Sequence, residues 1–201
     1  MPEDGGTEHL EPVSGFVVRV RGALAIRTPA RIERPEARRA AVAILVTGEP
    51  DPAILLIKRQ ARTGDPWSGQ MALPGGFAAP GDASLAETAR RETQEETGIK
   101  LGADPAGGLD DVSPRTPYLP PIVVSPFLFP VPSRVPAVPG AEAEAVVWLS
   151  VADLYDPRLR RPFRLQLPGG VQEFESIVVG EYTIWGLTER ILHQLGELAG
   201  L

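Results

Sequence analysis

Residues 84–98 carry both a start signal and a stop signal for a helix. Ser84-Leu85-Ala86-Glu87 has the S-x-x-E form of a capping box, in which side chains at the first turn bond to free backbone N–H groups. Gly98 offers the left-handed backbone conformation with which many helices end. These two signals predict a helix over residues 85–97.

The predicted helix has an acidic face. Glu92, Glu95 and Glu96 are three and four residues apart, so they fall within an arc of about 100°. Like charges at these spacings cost an isolated helix about 0.2–0.5 kcal/mol per pair, and a divalent cation would relieve that repulsion. Hard carboxylate oxygens suit Mg²⁺ or Mn²⁺. The alternative interpretation is a solvated acidic helix face.

A glycine-rich turn precedes the helix and favours the metal interpretation. Pro74-Gly75-Gly76 follows the apolar Met71-Ala72-Leu73, so a strand leads through the turn towards the capped helix. Glycines allow the backbone to approach a bound phosphate or metal closely. A stripe of small side chains beside the acidic face predicts close packing of the helix on a sheet; its members are Ala86, Ala89, Thr93 and Thr97.

Residues 91–99 resemble the second half of the motif of the Nudix hydrolase superfamily, G-x5-E-x7-R-E-U-x-E-E-x-G-U, in which U is aliphatic. Thr93 stands at the first U, Asp82 replaces the upstream Glu, and eight rather than seven residues separate Asp82 from Arg91. The resemblance implies an α/β (α+β) fold: a Nudix-like α/β/α sandwich with a mixed central sheet and a catalytic strand-loop-helix.

The same resemblance implies an enzyme that uses Mg²⁺ (or Mn²⁺) to hydrolyse the diphosphate linkage of a nucleoside diphosphate joined to another moiety. Arg91 would orient a glutamate, and Glu95 would serve as both ligand and base. Gly75 lies in the cofactor-binding turn. The positions that match metal ligands are Glu92, Glu95, Glu96 and the carbonyl of Gly76.

Three residues outside the motif are weaker candidates. Arg59 is a candidate phosphate contact. Trp67 lies in a loop near the turn and is a candidate for stacking on a substrate ring, although packing within the loop is the alternative. Glu144 lies where some Nudix proteins place an additional acidic metal ligand or base, and a solvated acidic loop is the alternative.

Longer segments resemble the branch of this family that cleaves coenzyme A. That branch has an L-L-T-x-R-[SA] strand end, a G-x3-F-P-G-G turn, the same one-residue insertion in the motif, and a late W-G-L/M-T. The four corresponding segments of this chain are residues 55–60, 69–76, 82–84 and 185–188. They differ from the pattern of that branch at Ile57, Gln60 and Leu73. The implied substrate is coenzyme A or a derivative. The alternatives are ADP-ribose, NADH or another dinucleotide, and a nucleotide-binding module that lost catalysis.

Composition sets further bounds. The chain has 201 residues, 43% of them hydrophobic, which predicts one domain over residues 15–201 after a disordered tail over residues 1–14. A net charge of −6 argues against a nucleic-acid partner. The absence of cysteine excludes disulfides, thiolate metal ligands and a Cys nucleophile. The chain has no run of 18 apolar residues, so we expect no membrane contact and a cytoplasmic location. A homodimer is compatible with these features.

Apolar runs predict the remaining elements. The proline-rich residues 113–121 are expected to form a loop, as either a plain connector or a substrate-facing lid. Pro126 interrupts one strand and suggests an edge or a bulge. The closing helix is predicted over residues 187–198. Strands are predicted at residues 40–46, 54–57, 108–112, 122–129, 145–149, 171–174, 177–179 and 182–185.

Overall fold

The computed structural model describes residues 15–63, 68–102, 104–115, 119–167 and 169–201. The predicted tail over residues 1–14 lies outside them. The helices in these ranges are α1 Phe16–Ala25, α2 Leu85–Thr97, α3 Val151–Leu154 and α4 Gly186–Ala199, and Pro157–Leu159 forms a 3₁₀ turn. The strands are β1 Arg38–Thr47, β2 Ala53–Arg59, β3 Met71–Ala72, β4 Gly75–Phe77, β5 Gly107–Gly108, β6 Ile122–Val131, β7 Ala143–Ser150, β8 Arg160–Leu167, β9 Gly170–Val179 and β10 Tyr182–Trp185.

Two sheets organise these strands. The larger, 7-stranded sheet follows the path β3-β2-β1-β6-β5, with β4 also paired to β1 and β7 to β2. β1 and β6 are parallel, from Arg38 opposite Ile122 to Thr47 opposite Val131. The other pairs in this sheet are antiparallel, which makes it mixed. β8, β9 and β10 form a separate 3-stranded antiparallel sheet.

The core lies on both faces of the larger sheet. Successive side chains of a strand point to opposite faces. Accordingly Ala40, Ile44 and Val46 of β1 pack in one cluster with residues of α1 and α4. Ala41 and its alternate neighbours in β1 pack in the other cluster with Ala89 of α2. The predicted α/β/α sandwich with a mixed central sheet is therefore confirmed.

Helix α2 has the predicted ends. The Ser84 hydroxyl accepts a hydrogen bond from the Glu87 N–H at 3.2 Å, and Gly98 adopts the left-handed conformation with φ 70°. The small stripe faces the sheet, since Ala89, Thr93 and Thr97 are fully buried. Both buried threonine hydroxyls donate to the carbonyl four residues earlier, at 2.7 and 2.6 Å. Local capping and small side chains thus fix both the length and the packing of this helix.

Helix α1 is an element that the sequence pattern left unassigned. Its run of β-branched valines has weak helix propensity. However, Phe16, Val20 and Leu24 recur every four residues and are buried against the core, where α1 packs on α4. Arg19 also donates to the carbonyl of Ala199 at 2.6 Å. Tertiary packing therefore decides the helical conformation here.

Pro126 does not mark a strand edge, but it lies where the pairing on one side of β6 shifts by one residue, which agrees with the predicted alternative of a bulge. It lies within β6, which is paired on both sides, with β1 and with β5. Val124 exchanges backbone hydrogen bonds with Val112 on the outer side, and residues two apart direct their backbone groups the same way. The Pro126 nitrogen, which has no hydrogen to donate, consequently points to the gap between Leu109 and Val112, where this outer pairing is interrupted. The predicted strand at residues 108–112 is reduced to the end of β5 and a single bridge at Val112.

The long hairpin β8–β9 also differs from the prediction. Residues 171–174 and 177–179 belong to one continuous strand, and β8 was not predicted. β10 and α4 lie where they were predicted, to within a residue at each end of α4. In the part of the chain that the structure describes, none of the helices has the length and apolar character needed to cross a bilayer.

Candidate active site

The glycine turn brings the backbone of β4 against both β1 and α2. A Cβ atom on Gly75 would lie 2.3 Å from the carbonyl oxygen of Ala41. A Cβ atom on Gly76 would lie 2.4 Å from the carboxyl carbon of Glu92. Side chains cannot be accommodated at these distances, so the two glycines are what allows the acidic face of α2 to lie directly on the turn.

Two glutamates of α2 are withdrawn from water at this contact. Glu96 is 4% exposed, and its Oε2 accepts a hydrogen bond from the Gly75 N–H at 2.8 Å. Burial raises the pKa of Glu96 to about 7, against the opposing effect of that hydrogen bond, and the charge of Glu92 raises it further. Burial also raises the pKa of Glu92, although Arg91 opposes this. Two neighbouring desolvated carboxylates are a donor set that a hard divalent cation would stabilise.

Arg91 connects the acidic face to the loop before the helix. Its Nε and Nη2 bond to the two oxygens of Asp82 at 3.0 and 3.1 Å. Its Nη1 bonds to Glu92 Oε1 at 2.8 Å and to Glu95 Oε2 at 3.2 Å. Its Nη2 also donates to the carbonyl of Phe77 at 3.1 Å. One guanidinium thus fixes the positions of two glutamates relative to the turn.

Asp82 stands where the motif has its upstream glutamate, and it serves as the anchor of Arg91. Its side chain is 7% exposed and also accepts from the Ala79 N–H at 2.9 Å and from the Thr88 hydroxyl at 2.8 Å. The hydrogen bonds from Arg91, and then from Ala79, hold the pKa of Asp82 well below its usual value. The Asp82 carboxylate, which is one methylene shorter than the Glu of the motif, is therefore held by hydrogen bonds from Arg91, Ala79 and Thr88.

Replacing Asp82 by Asn is expected to lower the melting temperature at neutral pH. A carboxylate with a lowered folded-state pKa stabilises the fold at pH values above its ordinary pKa of 3.8, and this contribution is lost as the pH falls through the lowered value. The difference in melting temperature between wild type and D82N should be full at about pH 7 and shrink below about pH 4. A difference that does not depend on pH would contradict this assignment. Asp104→Asn is the matched control, because Asp104 pairs with Arg90 at 2.7 Å but its side chain is 96% exposed.

A large cleft opens beside the turn, with a volume of about 1030 Å³. Glu92, Arg59 and Glu142 line one end of it, next to Gly75 and Gly76. The small sheet contributes an apolar wall, in which Trp185 stacks on Phe163 with ring centroids 4.4 Å apart. Apolar side chains along this wall and the opposite floor include Val42, Phe77, Ile122, Leu165, Phe174, Trp185 and Leu187.

The structure places Glu142, rather than Glu144, at the cleft. Glu144 is exposed and its carboxylate bonds to Lys58 Nζ at 2.7 Å. Pairing of β7 with β2 shifts register between Lys58 and Arg59, so Glu144 is the extra residue of a β-bulge. Glu142 was missed because its sequence neighbourhood is the same as that of Glu144, and only the bulge decides which carboxylate faces the cleft.

The other candidate residues divide between the cleft and its rim. Arg59, Gly75, Gly76 and Glu92 line the cleft. Glu95 has a side chain that is 58% exposed, and with Asp82 and Arg91 it lines a second, smaller depression. Trp67 lies outside the described residues. Among the described residues, no three acidic or histidine side chains already converge on one point as a cation site would require.

A model of the NUDIX domain matches residues 37–168 of this chain. The chain is 35% identical over 163 residues to the uncharacterized Nudix hydrolase NudL of Yersinia enterocolitica, covering 79% of this chain and 80% of that protein. The match to NudL of Cronobacter sakazakii is 32% over 160 residues, covering 79% and 81%. An uncharacterized protein of Schizosaccharomyces pombe is 40% identical over 113 residues, which span 53% of this chain but 34% of that protein.

The fold is similar to that of a MutT/nudix family protein from Enterococcus faecalis. The two structures align with a TM-score of 0.55 at 19% sequence identity, covering 97% of this chain and 74% of that one. The domain match spans the turn, helix α2 and Glu142, and the bacterial relatives extend the similarity to most of the chain. These matches show that the chain belongs to the Nudix family of hydrolases, which act on pyrophosphate bonds.

Proposed function

We propose that this protein is a Mg²⁺- or Mn²⁺-dependent pyrophosphohydrolase whose substrate is coenzyme A or one of its derivatives. It cleaves the diphosphate linkage between the nucleoside and the pantetheine arm. The observation that carries the proposal is a single cleft in which an acidic end adjoins a long apolar wall.

The acidic end supplies the groups that this reaction needs. Glu92 and the carbonyl of Gly76 at this end, together with the neighbouring Glu95 and Glu96 of α2, would hold the cation. A bound divalent cation neutralises charge on the phosphoryl oxygens and lowers the pKa of a bound water. Glu95 is the base, since it is the most exposed of the three glutamates and is oriented by Arg91 at 3.2 Å. Arg59 contacts a phosphate oxygen from the opposite side of the turn.

The apolar wall supports coenzyme A over more polar dinucleotides. Leu165, Phe174 and Trp185 offer an extended non-polar surface beside the acidic end. A pantetheine arm is long and carries methyl and methylene groups between its two amides, so these groups gain from contact with such a surface, whereas a ribose gains less. The sequence resemblance to the coenzyme A branch supports the same choice.

A hydrolysis screen with resolved products tests the proposal. Coenzyme A, acyl-coenzyme A, ADP-ribose, NADH, dinucleoside polyphosphates and nucleoside triphosphates are each incubated with Mg²⁺ and with Mn²⁺. We expect kcat/KM for coenzyme A to exceed that for ADP-ribose by roughly tenfold or more. Water adds across one P–O–P bond, so the expected products are phosphopantetheine and an adenosine bisphosphate.

Two results would contradict the proposal in different ways. A preference for ADP-ribose or NADH by roughly tenfold would agree with the proposed reaction but show that the proposed substrate is wrong. Saturable nucleotide binding without hydrolysis in the presence of either metal would show that the protein is a nucleotide-binding module and not an enzyme.

A further inference from the structure

Two arginines face the cleft on the side away from Arg59 and Glu142. Arg190, on α4, is half-buried, and its Nη1 donates to the carbonyl of Ser113 at 2.7 Å. Arg115 lies two residues after Ser113 and lines the same cleft. The two guanidinium groups are close enough that, besides burial, the charge of Arg115 lowers the pKa of Arg190.

This positive charge is only partly offset within the described part of the chain, since the charge of Glu189 raises the pKa of Arg190 against the effects of burial and of Arg115. Two of the acidic side chains that line this cleft bond to other arginines: Glu189 to Arg160 at 2.6 Å and Glu173 to Arg164 at 3.0 Å. No carboxylate of the described residues forms an ion pair with Arg115 or Arg190. The half-buried charge of Arg190 and the exposed charge of Arg115 repel one another, and an anion bound between them would remove that repulsion.

The pair is separated from the catalytic end by the width of several strands. Gly76 pairs with Ala41 on β1, β6 is the next strand, and Val112 is bridged to β6 at Val124. Since neighbouring strands are about 4.8 Å apart and three such spacings separate them, Ser113 lies roughly 14 Å from the strand that carries the turn. The anion held by the arginines is therefore not the phosphate at the acidic end.

We propose that Arg115 and Arg190 form a binding site for a second phosphate of the substrate, a phosphomonoester on the ribose. This inference rests on the proposed function, because it assumes a nucleoside diphosphate substrate in the cleft, and it narrows that substrate to a nucleoside that carries an additional phosphate. Coenzyme A has such a group, whereas ADP-ribose and NADH do not. The arginine pair thus distinguishes among substrates that share the diphosphate.

The test compares coenzyme A with dephospho-coenzyme A, which lacks only the ribose phosphomonoester. For wild type, we expect kcat/KM to favour coenzyme A by about 10- to 100-fold, which is the effect of hydrogen bonds to a charged group. Arg115→Ala and Arg190→Gln should remove most of that preference, mainly through KM, and leave dephospho-coenzyme A within about twofold of wild type. Arg190→Lys retains the charge and should be intermediate.

Control variants distinguish the loss of phosphate binding from a general loss of structure. Arg21→Ala removes the same charge from the exposed surface of α1 and should leave both substrates unchanged. Arg115 is exposed, so its replacement keeps the test valid even if Arg190→Gln does not fold. Equal losses for both substrates, or no preference in wild type, would overturn the inference.

A binding measurement distinguishes failure of this inference from failure of the proposed function. Calorimetry compares AMP with the adenosine bisphosphate that has its second phosphate on the ribose ring. Tighter binding of the bisphosphate that Arg115→Ala abolishes supports the site even if the enzyme hydrolyses neither form of coenzyme A. Equal binding of the two nucleotides by wild type contradicts it.

Discussion

Replacing Glu95 by Gln is expected to lower kcat by about a thousandfold and to leave the fold intact. Removal of a general base costs about 10²- to 10⁴-fold, and this residue is proposed to act as both base and cation ligand. Its side chain is largely exposed and bonds to Arg91 at 3.2 and 3.4 Å, so Gln should be tolerated structurally. Steady-state kinetics with Mg²⁺ and a thermal unfolding curve measure the two effects separately.

The same helix provides a matched control for this variant. Glu87 is a half-exposed carboxylate of α2 that contacts Arg90 at 3.3 Å and lies outside the acidic face. Glu87→Gln removes the same charge and should retain the kcat of wild type. Full activity of Glu95→Gln with Mg²⁺ would show that Glu95 is not the base.

Replacing Glu96 by Gln is expected to abolish turnover and at the same time to stabilise the metal-free protein at neutral pH. A Gln side chain can still accept the hydrogen bond that the Gly75 N–H donates at 2.8 Å, but it removes a buried charge. Activity is lost because Glu96 is proposed to hold the cation. Stability rises because the desolvated carboxylate is costly when no cation is bound.

The sign and range of this effect follow from the pKa. Burial raises the pKa of Glu96 from 4.5 to about 7, so the folded protein resists ionisation that the unfolded chain permits. The fold therefore loses stability as the pH rises from 4.5 to about 7, by about 3 kcal/mol at 1.36 kcal/mol per pH unit. The difference in unfolding free energy between E96Q and wild type should be near zero at about pH 4 and largest above about pH 7.

Denaturant unfolding with a chelator present measures this difference, and added Mg²⁺ provides a second readout. A ligand that binds the folded state raises its stability, so Mg²⁺ should raise the melting temperature of wild type and have little effect on E96Q. Glu96→Ala is the contrasting variant, since it leaves the Gly75 N–H without its acceptor and should be less stable than E96Q at every pH. If wild type were more stable than E96Q at neutral pH without metal, burial of the ionised Glu96 carboxylate would not destabilise the fold, contrary to this prediction.

Much of the candidate site could be predicted from the sequence because its central element is local. The capping residues Ser84 and Gly98 form hydrogen bonds within a few positions, so residues 85–97 could be assigned without knowledge of the fold. The acidic arc and the small stripe follow from helical periodicity, and burial of Ala89 beside the half-exposed Glu92 agrees with both. The motif then led to the α/β/α fold that the structure has.

Other features depend on contacts between distant parts of the chain. Helix α1 forms despite its valine run because it packs on α4, and Pro126 is accepted within β6 because the neighbouring ladder is broken there. Apart from the buried Ile177, most apolar residues of the hairpin β8–β9 are half-buried or exposed, so its alternating pattern is weak. Its role as a wall of the cleft is visible only when the two sheets are placed together.

The sequence by itself determined the helix with the acidic face, the glycine turn before it and the family, because these depend on hydrogen bonds and side-chain spacing over a few residues. Only the tertiary structure decided that Glu142 rather than Glu144 faces the cleft, because a β-bulge in the β2–β7 pairing sets the direction of these side chains. It also decided that Arg115 and Arg190 share one cleft, because residues 75 positions apart meet there only after α4 packs beside the residues that follow Val112.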